Sequence, residues 1–384
     1  MGGNDDQKQL GPLLRLWGLT TAQLPDPSET PDNLAPFLIS ILQEAVPFID
    51  SAAPKSPVPQ NQSLAWKTKG TKSYPESDAP VYLSERVIPS SELARIAGRS
   101  SPPSVSLRHD ARIPPETWVC RRSVHRDLQR KGTASWTEFR AAMKDQHAET
   151  EKDMTPTVIG ARVALSWDCG IVEAVEGGET WGQFTLCVEE MRHRIGRPVL
   201  KDRIFPVLQM TCSSMDGNRT INGGRRTLVA GGMMGMQADE DNEGGGHDYS
   251  SDAAAVSRTE KPEFLIVNIT VADFVSSAPQ AQLSREKDVV VGAYVSVERI
   301  RKLPDSGDIE WVMATASDAR GVLPLWLQSM AVPGQIAKDV PLFLSWIERQ
   351  RQKETYQLSL TQAVKSDNPG LSPSGENARG NNST

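Results

Sequence analysis

The segment from Ile309 to Ala316 alternates along the chain in the two-residue period of a β-strand. One face of this strand would carry Ile309, Trp311, Met313 and Thr315. The other face would carry Glu310, Val312, Ala314 and Ala316. Both faces are largely apolar, so we expect the strand to be covered on both sides.

After a turn at Ser317, Asp318 and Gly321, the apolar positions change to the spacing of a helix. Before Pro333 and Gly334 they are Leu323, Trp326, Leu327 and Met330. After them they are Ile336, Val340, Phe343, Leu344 and Ile347. Proline inside a helix costs ~3 kcal/mol, so Pro341 predicts a break near Asp339. This C-terminal helix is the element around which the rest of the chain is organised.

Upstream of this unit, helical and strand periods occupy separate parts of the chain. An amphipathic helix is predicted over residues 34–46, ending at Pro47, and a second over residues 135–154, with Ser135 or Thr137 as its cap. The other periodic segments are strand-like and follow one another without alternating helices. This order favours an α+β architecture with one curved antiparallel sheet and helices at its ends.

Composition divides the chain into a central domain with extensions. Residues 1–63 form an N-terminal extension that carries the helix at 34–46, and residues 64–353 form the domain. A glycine-rich, acidic insertion at about 213–262 and the polar tail at 354–384 are predicted to be disordered, because they cannot bury enough apolar surface.

Charge and sequence signals exclude several classes of protein. The net charge of −6 argues against a nucleic-acid binder, and no apolar run is long enough for a membrane span. Without a secretory signal, and with four cysteines at no metal-binding spacing, a reduced cytoplasmic protein is expected. The five histidines have no metal spacing either, and no nucleophile-elbow motif is present. We therefore expect no metal, no cofactor and no catalytic residues.

Several segments together resemble a fungal family of proteins of unknown function, number 3074, which is placed in the START-like, helix-grip superfamily. The similarity spans roughly residues 64–352 without the insertion. The segments are WKTKGTKSYPESDAPV, RRSVHRD with KGTASWTEF, EEMRHRIGRPVLKDRIFPVL, SVERI, IEWVMATASDARGVLPLWLQ and IAKDVPLFLSWI. The resemblance implies an antiparallel sheet wrapped around a long C-terminal helix and enclosing a cavity. In the wider superfamily such cavities hold sterols, phospholipids, ceramides or other apolar ligands.

The wall of such a cavity would come from large residues on the strands. The predicted ligand-binding residues are Trp118, Arg122, Phe184, Leu186, Phe205, Tyr294, Trp311 and Met313. His193, Arg203 and Asn268 are further polar candidates that could orient a ligand's head group. For each aromatic residue, ordinary core packing is the competing interpretation. Glu189 and Glu190 are adjacent on a strand and would point to opposite faces, which argues against an acid–base pair.

The hypothesis for function is non-catalytic binding of a hydrophobic small molecule or lipid, extending to transfer through transient membrane contact. A protein-interaction scaffold is the alternative, using the helix surface around Trp326 and Trp346 together with the acidic insertion. A third hypothesis is an enzyme of the cyclase or hydrolase type. Such an enzyme would need polar groups that converge inside the cavity, and the sequence shows no such set. The sequence leaves the oligomeric state and the ligand's identity open.

Overall fold

The structure is a computed structural model, and it describes residues 10–55, 65–99, 113–194, 200–216, 228–229, 259–320 and 325–366. Its α-helices are α1 (Pro31–Ala52), α2 (Ser90–Arg99), α3 (Trp136–Arg140), α4 (His147–Met154), α5 (Phe274–Ser277) and α6 (Leu325–Ser366). Its strands are β1 (Lys67–Lys72), β2 (Val81–Ile88), β3 (Glu116–His125), β4 (Val158–Trp167), β5 (Ala174–Glu176), β6 (Glu179–His193), β7 (Asp202–Met215), β8 (Leu228–Val229), β9 (Glu260–Thr270), β10 (Val289–Val291), β11 (Ala293–Lys302) and β12 (Ile309–Asp318).

All twelve strands join one sheet in the order β1-β2-β3-β12-β11-β9-β7-β6-β5-β8. β4 lies beside β6, and β10 lies beside β7. The pairs are antiparallel except β10 with β7 and β5 with β8. Helix α6 packs on one face of this sheet, so the predicted α+β fold, with an antiparallel sheet around a long C-terminal helix, is confirmed.

The two faces of the sheet are covered by opposite ends of the chain. We call the face toward α6 the inner face; Trp311 of β12 and Ile300 of β11 lie opposite each other on it. The outer face carries Val312 and Cys120, and it packs against α1. Strand β12 is therefore covered on both sides, as its two apolar faces predicted.

Helix α1 is the helix that the sequence placed at residues 34–46. It begins earlier, at Pro31, and continues through Pro47 to Ala52, so the predicted end at Pro47 is wrong. Burial of Leu38, Leu42 and Ile49 against the outer face offsets the hydrogen bond that proline removes. Alone among the described helices, α1 is long and apolar enough to cross a membrane, and half of its apolar window is buried in this packing.

Helix α6 is continuous from Leu325 to Ser366, so the predicted break near Asp339 is wrong. Pro333 and Pro341 both lie inside this helix. Burial of Val340, which lies between the two prolines, and of Phe343, which lies beyond them, stabilises the helix. The tail expected to be disordered from residue 354 begins as a helix, and residues 367–384 lie outside the described residues. Most of the predicted insertion, 217–227 and 230–258, lies outside them as well.

An aromatic cluster fills the space between the inner face and the middle of α6, around Phe343. Phe139 of α3, Trp311 of β12 and Phe343 of α6 meet with ring centroids 4.7–5.7 Å apart. Ser135 caps α3 as predicted, in a capping box with Glu138. A π-helical turn over Ala141–Asp145 then leads into α4, which lies over the inner face nearer the start of α6.

Candidate functional site

The predicted wall residues divide between the two faces of the sheet. Four lie on the inner face: Phe205, Tyr294, Trp311 and Met313. The other four lie on the outer face: Trp118, Arg122, Phe184 and Leu186. The structure therefore does not bring the eight together in one wall.

The predicted wall residues on the outer face stabilise the fold. The ring of Trp118 packs 4.4 Å from that of Phe48 on α1, and its indole N–H donates to Glu116 Oε1 at 2.7 Å. Arg122 Nε donates to Glu310 Oε1 at 2.7 Å across two strands. Phe184 and Leu186 belong to the same core below α1. These contacts point away from α6.

The inner face, α4 and the first half of α6 bound a space that we call the gap. At one end of the gap, three half-buried rings lie in a row, from β6, β7 and β11. The centroids of His193 and Phe205 are 5.4 Å apart, and those of Phe205 and Tyr294 are 6.3 Å apart. This row, which we call the aromatic shelf, offers apolar surface beside a phenol and an imidazole. Phe205 and Tyr294 are two of the predicted wall residues.

A line of hydrogen bonds, which we call the polar ladder, runs across the inner face from the shelf to α4. Asn268 Nδ2 donates to Ser296 Oγ at 3.1 Å, and Gln209 Nε2 donates to Asn268 Oδ1 at 3.2 Å. Gln209 Nε2 also lies 3.1 Å from His147 Nδ1 on α4. Because this amide nitrogen can only donate, His147 Nδ1 is the acceptor. The ladder fixes these polar side chains in one orientation.

Three carboxyl groups and one guanidinium meet in the middle of the gap, and we call them the carboxyl cluster. Arg121 of β3 lies 3.4 Å from Glu298 Oε2 on β11 and 3.5 Å from Asp339 Oδ2 on α6. Trp311 donates its indole N–H to Glu298 at 2.9 Å. Glu151 of α4 is the third acid, and Thr155 donates its hydroxyl to it at 3.1 Å. The pKa of Glu151 is raised electrostatically by the other two acids.

The titratable groups of the gap are shifted toward their neutral forms. Burial raises the pKa of Glu151 to about 8 and that of Asp339 to about 7, with Arg121 acting against the second shift. Burial also raises the pKa of Tyr294 and lowers that of His193 to about 4. Desolvation of charged forms is the shared cause.

These deep groups nevertheless keep accessible surface. The side chain of Asp339 is 28% exposed, and those of Glu151, His193 and Tyr294 are also only partly buried. These groups thus combine partial exposure with pKa shifts whose main cause is burial. The gap therefore lies beside Asp339 of α6, whereas Phe343, one turn further along α6, covers the filled aromatic cluster. Trp311 belongs to the aromatic cluster and not to the gap.

The remaining polar candidates have separate roles. Asn268 and His193 belong to the polar ladder and the aromatic shelf. Arg203 Nε donates to the backbone carbonyl of Ala319 at 2.8 Å, which ties the end of β12 to β7. Glu189 and Glu190 point to opposite faces as predicted: the first faces the gap, and the second pairs with Arg162 at 2.8 Å. Among the described residues, no group of acidic, histidine or cysteine side chains is arranged to hold a metal ion.

Sequence reasoning missed the carboxyl cluster. Asp339 was considered only as a residue at a predicted helix break, and neither Arg121 nor Glu151 was among the candidate residues. Their positions in three distant segments gave no local signal. One signal was available in β3, where arginine at 121 lies on the same face as the apolar Val119, because a buried charge requires a partner.

Comparisons with known proteins find one protein family and several solved structures that are similar to this chain. The sequence pattern of a protein family of unknown function, DUF3074, matches residues 118–347. Among solved structures, human STARD10 is 12% identical over 89% of each chain, with a TM-score of 0.40. The human StAR-related lipid transfer protein 5 is 12% identical over 84% of this chain and 100% of its own, with a TM-score of 0.41. No curated protein matches this chain.

Proposed function

We propose that this chain, which belongs to the protein family of unknown function DUF3074, binds an uncharged hydrophobic small molecule, such as a lipid, in the gap between its sheet and α6. One observation carries the proposal. Glu151, His193 and Asp339 lie along the gap between sheet and helices, and burial there shifts the pKa of each toward its neutral form. A space that disfavours charge on its own walls disfavours charge on an occupant.

The binding energy would come from apolar burial. Aromatic surface at Phe205 and Tyr294 and the thioether of Met313 supply apolar contacts. At ~25 cal/mol per Å², a lipid chain that buries several hundred Å² gains several kcal/mol without a charged contact. The polar ladder would then orient the less apolar end. The proposed role is non-catalytic, and transfer between membranes is its natural extension.

Native mass spectrometry of protein purified without detergent tests this function. The expected result is a discrete added mass that organic extraction identifies as a lipid or another apolar compound. Protein that is first delipidated should take up such a compound from mixed liposomes. A clean apo mass before and after incubation with the liposomes would overturn the proposal.

A matched variant locates the binding. Phe205→Asp places a charge on the aromatic shelf, and it should abolish uptake while a folded protein remains. Tyr82→Asp places the same charge on β2, at an exposed position, and should leave uptake unchanged. Equal uptake by both variants would move the site out of the gap.

The scaffold alternative keeps one supporting observation. Residues 353–359 of α6 are exposed, and Tyr356 and Leu358 present apolar surface there. The surface first considered for it is not available, because Trp346 is buried against Phe343, and the side chain of Trp326 lies outside the described residues. Truncation after residue 352 tests it: loss of a co-purifying protein partner, with lipid uptake intact, would favour the scaffold.

A further inference from the structure

Glu189 of β6 lies on the inner face, and one of its oxygen atoms has no hydrogen-bond partner in the part of the chain that the structure describes. Its side chain is 3% exposed, and Oε2 is unpartnered. The other oxygen, Oε1, accepts only the weak thiol donor of Cys187 at 3.7 Å. Buried oxygen atoms of this kind normally have a donor. A donor from outside the chain would complete the site.

A second unpartnered group lies on the helix that covers this corner. The hydroxyl of Thr150 on α4 is buried, 2% exposed and without a partner. His147 lies one turn earlier on α4, on the same helix face, and holds the end of the polar ladder through Gln209. His147 also interacts electrostatically with Glu189. Among the described residues, a carboxyl oxygen on β6 and a hydroxyl on α4 are thus both unpartnered, and His147 of α4 interacts with the same part of the inner face as Glu189.

Apolar surface adjoins the acceptor. Val163 of β4 lies opposite Glu189 in the antiparallel register, so the two side chains share a face of the sheet. Val163 is 48% exposed. A buried acceptor beside accessible apolar surface fits a molecule that carries both a hydrogen-bond donor and an apolar body.

The charges of the gap exclude an anionic group at this position. Glu151, Glu189, Glu298 and Asp339 face the gap, and Arg121 is the one Lys or Arg side chain that the carboxyl cluster contains. A phosphate or carboxylate would be placed among acids and would lose its hydration. A cation would need an ionised partner, whereas the gap favours neutral forms of its acids. An uncharged donor satisfies both conditions.

We infer that Glu189 and Thr150 bind the hydroxyl or amide group of an uncharged amphiphile whose apolar part lies along the gap. This inference rests on the proposed function, since it names the chemical class of the ligand and the two residues that would recognise it. It assigns specificity to two residues that make no other polar side-chain contact of normal strength.

Four probes with one common chain separate the possibilities: octadecanol, octadecyl methyl ether, octadecyl phosphate and octadecylamine. Each is titrated into the delipidated full-length protein, and affinity is measured by native mass spectrometry and by quenching of tryptophan fluorescence. Octadecanol should bind roughly tenfold more tightly than its ether, because only the alcohol donates a hydrogen bond. It should also exceed the phosphate and the amine.

The variant Glu189→Met keeps the size of the side chain and removes the acceptor. It should bind the alcohol and the ether equally, while Glu149→Met, at an exposed position on α4, should keep the tenfold preference. Thr150→Val provides a second, nearly isosteric variant if Glu189→Met does not fold, and it should reduce the preference.

The outcomes separate this inference from the proposed function. If none of the four probes binds, the proposed function fails. If the ether binds as tightly as the alcohol to the natural protein, binding in the gap stands and the inference is overturned. Tightest binding by the phosphate or the amine would overturn it in the same way, and would assign the corner to a charged head group.

Discussion

The guanidinium of Arg121 lies over the indole ring of Trp311, 3.9 Å from its centroid. The same indole donates to Glu298, with which Arg121 is paired. A buried cation is thus held by a ring face and by carboxylates at once. Its Nε and Nη1 have no hydrogen-bond partner of good geometry among the residues that the structure describes, so the acids of the carboxyl cluster are the main groups that stabilise its charge.

Replacing Arg121 with methionine should destabilise the protein by about 3 kcal/mol, because the acids lose their cation while they stay buried. Urea unfolding at two pH values measures this. The loss should be larger at pH 8.5 than at pH 5.5, since Asp339 has a pKa of about 7 and is neutral at the lower pH. Arg121→Lys keeps the charge and should lose less. An equal loss at both pH values would contradict this account of the cluster.

Glu151 gives the stability a dependence on pH. Its pKa is about 8 in the folded protein, raised from 4.5 mainly by burial and then by Asp339 and Glu298. The folded state therefore binds more protons than the unfolded state between about pH 4.5 and 8. The contribution of Glu151 is fully present below pH 4.5 and is lost as the pH rises to 8, at up to ~1.4 kcal/mol per pH unit.

The variant Glu151→Gln cannot lose a proton, so it should become more stable relative to the natural protein as the pH rises from 5 to 8. Thermal unfolding across this range, with Arg121, Asp339 and Glu298 unchanged, measures the difference. A difference that stays constant with pH would show that Glu151 faces bulk solvent.

Trp118 and Phe205 should separate stability from binding. Trp118→Ala removes a fully buried ring between β3 and α1, and it should cost about 3–5 kcal/mol. Uptake of lipid per folded molecule should not change, because the ring lies on the outer face. Denaturant unfolding and mass spectrometry on the same sample give both quantities. Weakened binding by a fully folded variant would return Trp118 to the predicted ligand wall.

The opposite result is expected for Phe205→Ala. Phe205 is half-buried on the aromatic shelf, so its truncation should cost only about 1–2 kcal/mol of stability. Affinity for the ligand should fall roughly tenfold, because a contact surface of the gap is lost. A variant that loses stability as severely as Trp118→Ala, with affinity unchanged, would place Phe205 in the packed core.

Local periodicity predicted the helices and strands well, but it predicted only in part which face of each strand turns toward α6. The alternation of β12 correctly placed Trp311 and Met313 together, and the capping residue Ser135 marks the start of α3. Which face of β3 and β6 turns toward α6 depends on pairing across the sheet, so Trp118 and Leu186 were grouped with residues of the other face. The carboxyl cluster joins β3, α4 and α6, and no local pattern reports such a meeting.

Proline was given too much weight in both long helices. The penalty at Pro47 and Pro341 is a local cost, whereas the compensation comes from side chains that bury against a sheet assembled from distant strands. The pattern of Val340, Phe343 and Leu344, which continues across Pro341 in one stripe, contained the correct answer. An apolar stripe that continues past a proline is a better guide to whether a helix continues than the proline itself.

The position of β12 in the sheet has a consequence for biosynthesis. β12 joins the antiparallel strands β2 and β3 to the rest of the sheet, and the paired residues Arg122 and Glu310 are 188 positions apart. During synthesis, strands β2 and β3 therefore cannot join the rest of the sheet, and their apolar faces stay uncovered, until β12 and α6 have left the ribosome. Such non-local pairing folds slowly and exposes aggregation-prone edges. Nascent chains of this protein should depend on chaperones, and a stop codon before residue 309 should yield insoluble fragments instead of a smaller folded domain.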